Sequence, residues 1–225
     1  MTAPGSLLLD PPATSRPSGG SGARGGGGGE DGGRGRGDRG DGSDLPLSSG
    51  RLLMVLVLVA STMLFTGLVG AVIVLRASAD AWPMPGTPAL PEGLGLNTVV
   101  LLASSAALAM AHVAQRRGRL APTRVGLLAA TGGAVAFLLL QVRCWNDLLL
   151  AGVVPATDNY AGNFYLLTAA HLAHALVGLG FLGWASVRAF RGYLIDRLAL
   201  PIDLAAMFWH FVDLAWLAIY VLFRW

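Results

Sequence analysis

The sequence predicts an all-α membrane protein: a bundle of five transmembrane helices behind a disordered Gly/Arg/Asp-rich N-terminal tail. Three observations carry that reading. Mean hydropathy is +0.59 and 54% of residues are hydrophobic, more than a soluble domain of this charge content holds. Five uncharged or nearly uncharged runs follow residue 51, each long enough to cross about 30 Å of hydrocarbon as a helix. Helix-stopping stretches separate them, among them WPMPGTPALPEG at 82–93 and VVPATDN at 153–159.

The chain divides on composition into a tail, 1–50, and a membrane domain, 51–225. The tail holds 16 of the 31 glycines and almost no aromatic or β-branched residues, so it cannot bury enough apolar surface to offset the entropy of ordering. Its RGGGGGEDGGRGRGDRGDG run has the look of a nucleic-acid-binding arm. Charge argues otherwise: Arg16, Arg24, Arg34, Arg36 and Arg39 are outweighed by Asp10, Glu30, Asp31, Asp38, Asp41 and Asp44. Phosphate binding relies on a sustained positive field, so nucleic acid is not an expected partner. SLLL at 6–9 is too short for the core of a secretory signal.

The five spans read as 52–75, 94–115, 124–150, 160–187 and 202–224. Basic residues stay on the cytoplasmic side. Arg51, the group Arg116, Arg117, Arg119 and Arg124, and the group Arg188, Arg191 and Arg197 fall on one side; Arg76, Arg143 and Arg224 fall on the other. The N-terminus is therefore expected in the cytoplasm and the C-terminus outside it, in the inner membrane of a bacterial cell. Ala103, Ala107 and Ala111, and likewise Gly126, Ala130 and Ala134, repeat at four-residue spacing. Such small residues let helix backbones approach closely, as lipid supplies no hydrophobic drive between helices.

Ionisable residues inside the spans mark the candidate site. Asp203, His210, Asp213 and Tyr220 fall on one stripe of the last span. Tyr165, Thr168, His171 and His174 form a second set on the fourth span, and His112 closes the second. A charge at membrane depth costs about 2.5–3.5 kcal/mol on insertion scales, so these groups are expected to face protein, water or headgroups. Three readings follow: a structural or lipid-contacting polar network, a proton relay, or ligation of a metal or haem. The one cysteine, Cys144, excludes a disulfide and any two-thiolate centre, and reads as a small packed residue. Trp209, Trp216, Trp225, Phe208 and Phe223 read as helix packing and interfacial anchoring rather than a cofactor pocket. No nucleophile and base stand in a known motif, so no catalytic residue is expected.

These residues resemble subunit III of the haem-copper (cytochrome c) oxidases. FWHFVDLAWLAIYVLF is similar to that family's last helix, YWHFVDxxWxxxY, matching at Trp209, His210, Phe211, Val212, Asp213, Trp216 and Tyr220, with Asp203 where the family commonly has glutamate. FYLLTAAHLAH resembles FYxLTGxHGxHV at Phe164, Tyr165, Thr168, His171 and His174, with Ala169 and Leu172 in place of glycines. LNTVVLLASS at 96–105 is similar to LNTxxLLxSS. The likeness covers residues 51–225 and corresponds to the five-helix form lacking the family's first two helices. Two departures stand out. VASTMLFTG aligns with LASEVMFFG and puts Thr62 at a glutamate position, and QVRCW aligns with QxxEW and puts Cys144 at another.

The resemblance implies an accessory subunit without a redox centre of its own, the haem and copper lying in partner subunits. It implies packing against catalytic subunit I and subunit II, phospholipid held in a cleft, and support for proton uptake and enzyme lifetime during oxygen reduction. By this analogy His171, His174, Asp203, His210, Asp213, Tyr165 and Trp209 are the expected lipid-contacting or structural residues, with His171, His174, His210 and Asp213 forming one interior network. An accessory subunit of a nitric-oxide reductase, and a small b-type cytochrome anchor using His174 and His210, are the alternatives. A transporter is the weakest reading, because no span is broken at its centre and no inverted repeat is evident.

Overall fold

The computed structural model describes residues 49–82, 93–193 and 195–224; residues 1–48 of the expected tail and most of the proline-rich 82–93 connection lie outside them, while residues 49–50 already belong to the first helix. Five helices follow in order: α1 (Ser49–Ser78), α2 (Gly93–Arg116), α3 (Leu120–Leu150), α4 (Asn159–Phe190) and α5 (Ala199–Arg224). A 3-10 turn, Ile195–Leu198, leads into α5. All five are long and apolar enough to cross a membrane. α3 begins at Leu120 rather than 124, and α4 runs to Phe190 rather than 187. Hydropathy falls at the first arginine, but backbone hydrogen bonding does not, because a long side chain can carry its charge out to the headgroups.

Local chemistry explains the ends. α2 stops at a left-handed Gly118 with φ 69°, where Gly118 N donates to Gln115 O at 2.9 Å and Arg119 N to Ala114 O at 2.9 Å. That pair of bonds satisfies carbonyls the helix end would orphan. α3 stops the same way at Gly152. Asp158 caps α4 by accepting from Ala161 N at 2.6 Å. Pro201 falls in the first turn of α5, where its missing N–H has no helical partner to lose.

α2, α3, α4 and α5 each pack against the next and close back on α2, while α1 lies against α4 and α5. Trp209, Trp216, Phe137 and Phe208 fill the interior and are essentially inaccessible. α1 instead turns Leu53, Leu56, Val59, Met63 and Val74 outward. The α2–α3 seam is the closest approach. A Cβ added at Gly126 would lie 2.8 Å from Ala111 Cβ and 2.9 Å from Ala107 O, and one at Gly133 would lie 2.8 Å from Ser104 Cβ. Ala107 and Ala111 therefore pack as expected, but Ala103 faces outward and Ser104 takes its place, donating to Ala130 O at 2.8 Å. A strict four-residue step drifts about 40° around a helix each time, so a seam alternates steps of three and four.

Candidate functional site

The polar stripe of α5 lies along α2, which runs the opposite way. Asp203 faces His112, whose Nε2 is 2.8 Å from Asp203 Oδ1, and also pairs with Arg51 of α1. Further along the same stripe, His210 Nδ1 lies 2.6 Å from Ser105 Oγ and 3.6 Å from Asp213 Oδ2. Trp216 then donates Nε1–H to Thr98 Oγ1 at 2.9 Å. Partners descend on α2 as numbers rise on α5, which is an antiparallel polar zipper. Tyr220 ends the stripe, accepting from Arg224 Nε at 3.2 Å.

The α4 residues reach other helices. His171 is fully buried, and its Nε2 donates to Val212 O of α5 at 3.1 Å, since a carbonyl only accepts. Its ring lies 4.9 Å from that of Trp216 and 5.6 Å from that of Phe137, centroid to centroid. His174 Nδ1 donates to Ala170 O at 2.8 Å by the same argument, and its Nε2 lies 3.3 Å from Ser61 Oγ of α1. Tyr165 donates to Val153 O at 3.0 Å, and Trp145 Nε1 to Thr168 Oγ1 at 3.1 Å. Trp209 contributes its ring alone among the described residues: Nε1 has no hydrogen-bond partner, and a Cβ at Gly178 would come within 2.7 Å of its Cε3.

The structure thus brings His210 together with Asp213, and Asp203 together with His112, while His171 and His174 bond to other groups. Among the described residues, no hydrogen bond links the α4 histidines to the His210–Asp213 pair. His174 and His210, the pair a b-type anchor would use, bond to α1 and to α2 respectively. Among the described residues no three His, Cys, Asp or Glu side chains group as a metal site. Ser105, His210 and Asp213 have the residue types of an acyl-transfer triad but not its geometry. Serine and carboxylate approach the same ring nitrogen, whereas the relay needs one on each.

Thr62 is exposed and donates to Leu58 O of its own helix at 2.8 Å. Cys144 is buried, its Sγ 3.2 Å from where a Cβ at Gly93 would stand. Sequence reasoning missed Arg51, Ser61, Thr98 and Ser105 as partners. It also missed Asn97, which donates to Gln141 Oε1 at 2.8 Å in the fully buried space between α2 and α3. Two amides within apolar runs were the available signal for that bond.

Comparison with known proteins adds to this geometry. The model of the family described as Cytochrome c oxidase subunit III matches residues 45–225. Cytochrome c oxidase subunit 3 of Synechocystis sp. is 31% identical over 175 residues, 75% of this chain and 72% of that protein. The protein of the same name in Thermostichus vulcanus is 30% identical over 176 residues, 76% of this chain and 85% of that one. A protein of Aeropyrum pernix named heme-copper oxidase subunit I+III is 30% identical over 146 residues, 64% of this chain and 18% of that protein. The chain spans about half the length of several plant and yeast relatives that carry the subunit 3 name. The chain belongs to the cytochrome c oxidase subunit III family and is an accessory subunit of a haem-copper oxidase.

Proposed function

We propose that this chain is the non-redox scaffold of a respiratory terminal oxidase of the cytochrome c oxidase type, in which oxygen reduction is coupled to proton pumping. It packs against catalytic subunit I and subunit II, holds membrane phospholipid, and sustains proton uptake and complex lifetime. The observation that carries this reading is the α2–α5 zipper. Its ionisable groups end on this chain's own side chains, which is what helix-locking requires and electron transfer does not. The relative named subunit I+III supports contact with subunit I, because fusion keeps two modules at high effective concentration.

On this reading His171, His174, Asp203, His210, Asp213, Tyr165 and Trp209 position helices, and haem and copper reside in partner subunits. The arginine distribution supports an N-terminus in the cytoplasm and a C-terminus outside a bacterial inner membrane.

The test is purification of the native complex through a tag on this chain. A copurifying haem-copper subunit that consumes oxygen is the expected result, whereas a complex that reduces nitric oxide instead, or no companion at all, overturns it. Replacing His210 and Asp213 together with Leu is expected to lower complex yield and shorten the active lifetime during turnover. Unchanged yield and lifetime would remove those two residues from the scaffold.

A further inference from the structure

We propose that the α2–α3 turn carries a binding site for one anionic phospholipid at the membrane surface, separate from the polar zipper. This rests on the chain being membrane-embedded and not on its role in an oxidase.

The turn presents two guanidinium groups that no described residue neutralises. Arg117 and Arg119 flank left-handed Gly118, so both lie on the same tight reversal, and both are exposed. Neither side chain makes a hydrogen bond or ion pair among the described residues. Three other arginines of the bundle are engaged by this chain: Arg51 pairs with Asp203, Arg124 donates Nε–H to Ala189 O at 2.9 Å, and Arg188 lies 4.9 Å over the Trp184 ring. No acidic residue occurs anywhere between Gly93 and Asn146, so this helical hairpin is purely basic. Among the described residues this charge is unmet, which leaves it open to an anion at the membrane surface.

Below the arginines the surface turns apolar. A cavity of about 390 Å³ opens there, walled by Ala109, Met110 and Val113 of α2 and Pro122 of α3. Met110 is 65% exposed and Val113 47%. Met110 lies seven residues before Arg117, or about 10 Å along the helix at its normal rise, on the side toward the bilayer centre. Paired cations at the helix ends above an apolar trough match a phosphate head with an acyl chain directly beneath it. A soluble phosphate would leave the trough empty, and a zwitterionic lipid would bring its own cation to the two arginines.

The full-length chain, purified in mild detergent, should retain one phosphatidylglycerol per molecule by native mass spectrometry when titrated with mixed micelles, and should hold phosphatidylcholine far less tightly. Each basic residue near a membrane surface contributes on the order of 1 kcal/mol, so Arg117→Gln with Arg119→Gln should weaken retention about thirtyfold. Val113→Trp keeps both charges but fills the trough, and should also displace the lipid. Arg143→Gln should change nothing. Equal retention of the two lipids, wild-type retention by the double variant, or displacement by inorganic phosphate would each overturn the proposal. So would photo-crosslinks from position 110 in native membranes that capture a polypeptide in place of lipid.

Discussion

The two faces of α2 strike different balances. Toward α3, beside the Asn97–Gln141 and Ser104–Ala130 bonds, the distinguishing feature is missing atoms: Gly126 and Gly133 let the backbones approach until even a single added carbon would collide. Toward α5 the seam is made of polar atoms, with His112, Ser105 and Thr98 each bonded to a residue of the facing helix. Lipid tails offer no hydrophobic reason for helices to associate, so dispersion at short range and interhelical hydrogen bonds are what remain. The two solutions fail in different directions. The close seam is intolerant of atoms gained, and the polar seam is intolerant of atoms lost.

The sharpest way to break that contrast is to overfill the close seam. Gly126→Val should cost about 3 kcal/mol, because its Cβ would meet Ala107 O and Ala111 Cβ, neither of which is the free end of a flexible side chain. Gly132 is the control. It lies one residue before Gly133, yet a Cβ there would meet nothing within 4 Å, so Gly132→Ala should be neutral or stabilising by up to about 1 kcal/mol. Reversible unfolding in mixed micelles measures both. Equal destabilisation by the two would show that α3 is sensitive to any added carbon rather than to the seam.

The polar seam should yield less, and through loss rather than gain. Asp203→Asn removes the carboxylate shared by Arg51 and His112 and leaves two potential cations facing each other. Breaking a fully buried pair costs about 3–5 kcal/mol. The Arg51 side chain is 40% exposed, so water can recover part of that, and about 2 kcal/mol is the expected loss. Adding Arg51→Gln should restore some of it, since the two residues are coupled. If the double variant is as unstable as the additive sum of the singles, the contact contributes nothing beyond each side chain's own hydration.

What was legible in the sequence follows the same division. The five spans stood out because an apolar run of about twenty residues suits a membrane and little else, whereas their ends did not, since arginine changes hydropathy before it changes backbone geometry. The α5 stripe was readable because an acid or imidazole in such a run is costly enough to be conspicuous. Its partners were not. Ser105 and Thr98 look like any hydroxyl residue in a membrane helix, where bonding to the residue's own backbone is just as available. Thr98 in fact does both, donating to Leu94 O at 2.9 Å while accepting from Trp216. The expected single network of His171, His174, His210 and Asp213 was implied by the family resemblance, and neither a resemblance nor a shared helix face says which neighbour each ring meets. Those neighbours are α5 for His171, α1 for His174 and α2 for His210.

Ser61 and Thr62 give the finest version of that test, because two adjacent hydroxyl residues have opposite surroundings. Ser61 is buried and bonds His174, while Thr62 faces away from the bundle with its hydroxyl satisfied within α1. Thr62→Val should therefore shift stability by less than about 0.5 kcal/mol, as it removes no contact between helices. Ser61→Ala removes an interhelical bond of the kind worth about 0.6 kcal/mol on average in membrane proteins, and it also exposes one imidazole nitrogen to an apolar interior. The pair should therefore separate in unfolding measurements on the isolated chain. Thr62→Glu carries the argument to the position where the family has a carboxylate. That group would project outward from α1, so in the isolated chain it should hinder insertion by about 2.5–3.5 kcal/mol. If a neighbouring subunit supplies a partner there, the penalty should shrink when the variant is assembled into the oxidase. A penalty unchanged by assembly would mean that this face of α1 meets only lipid.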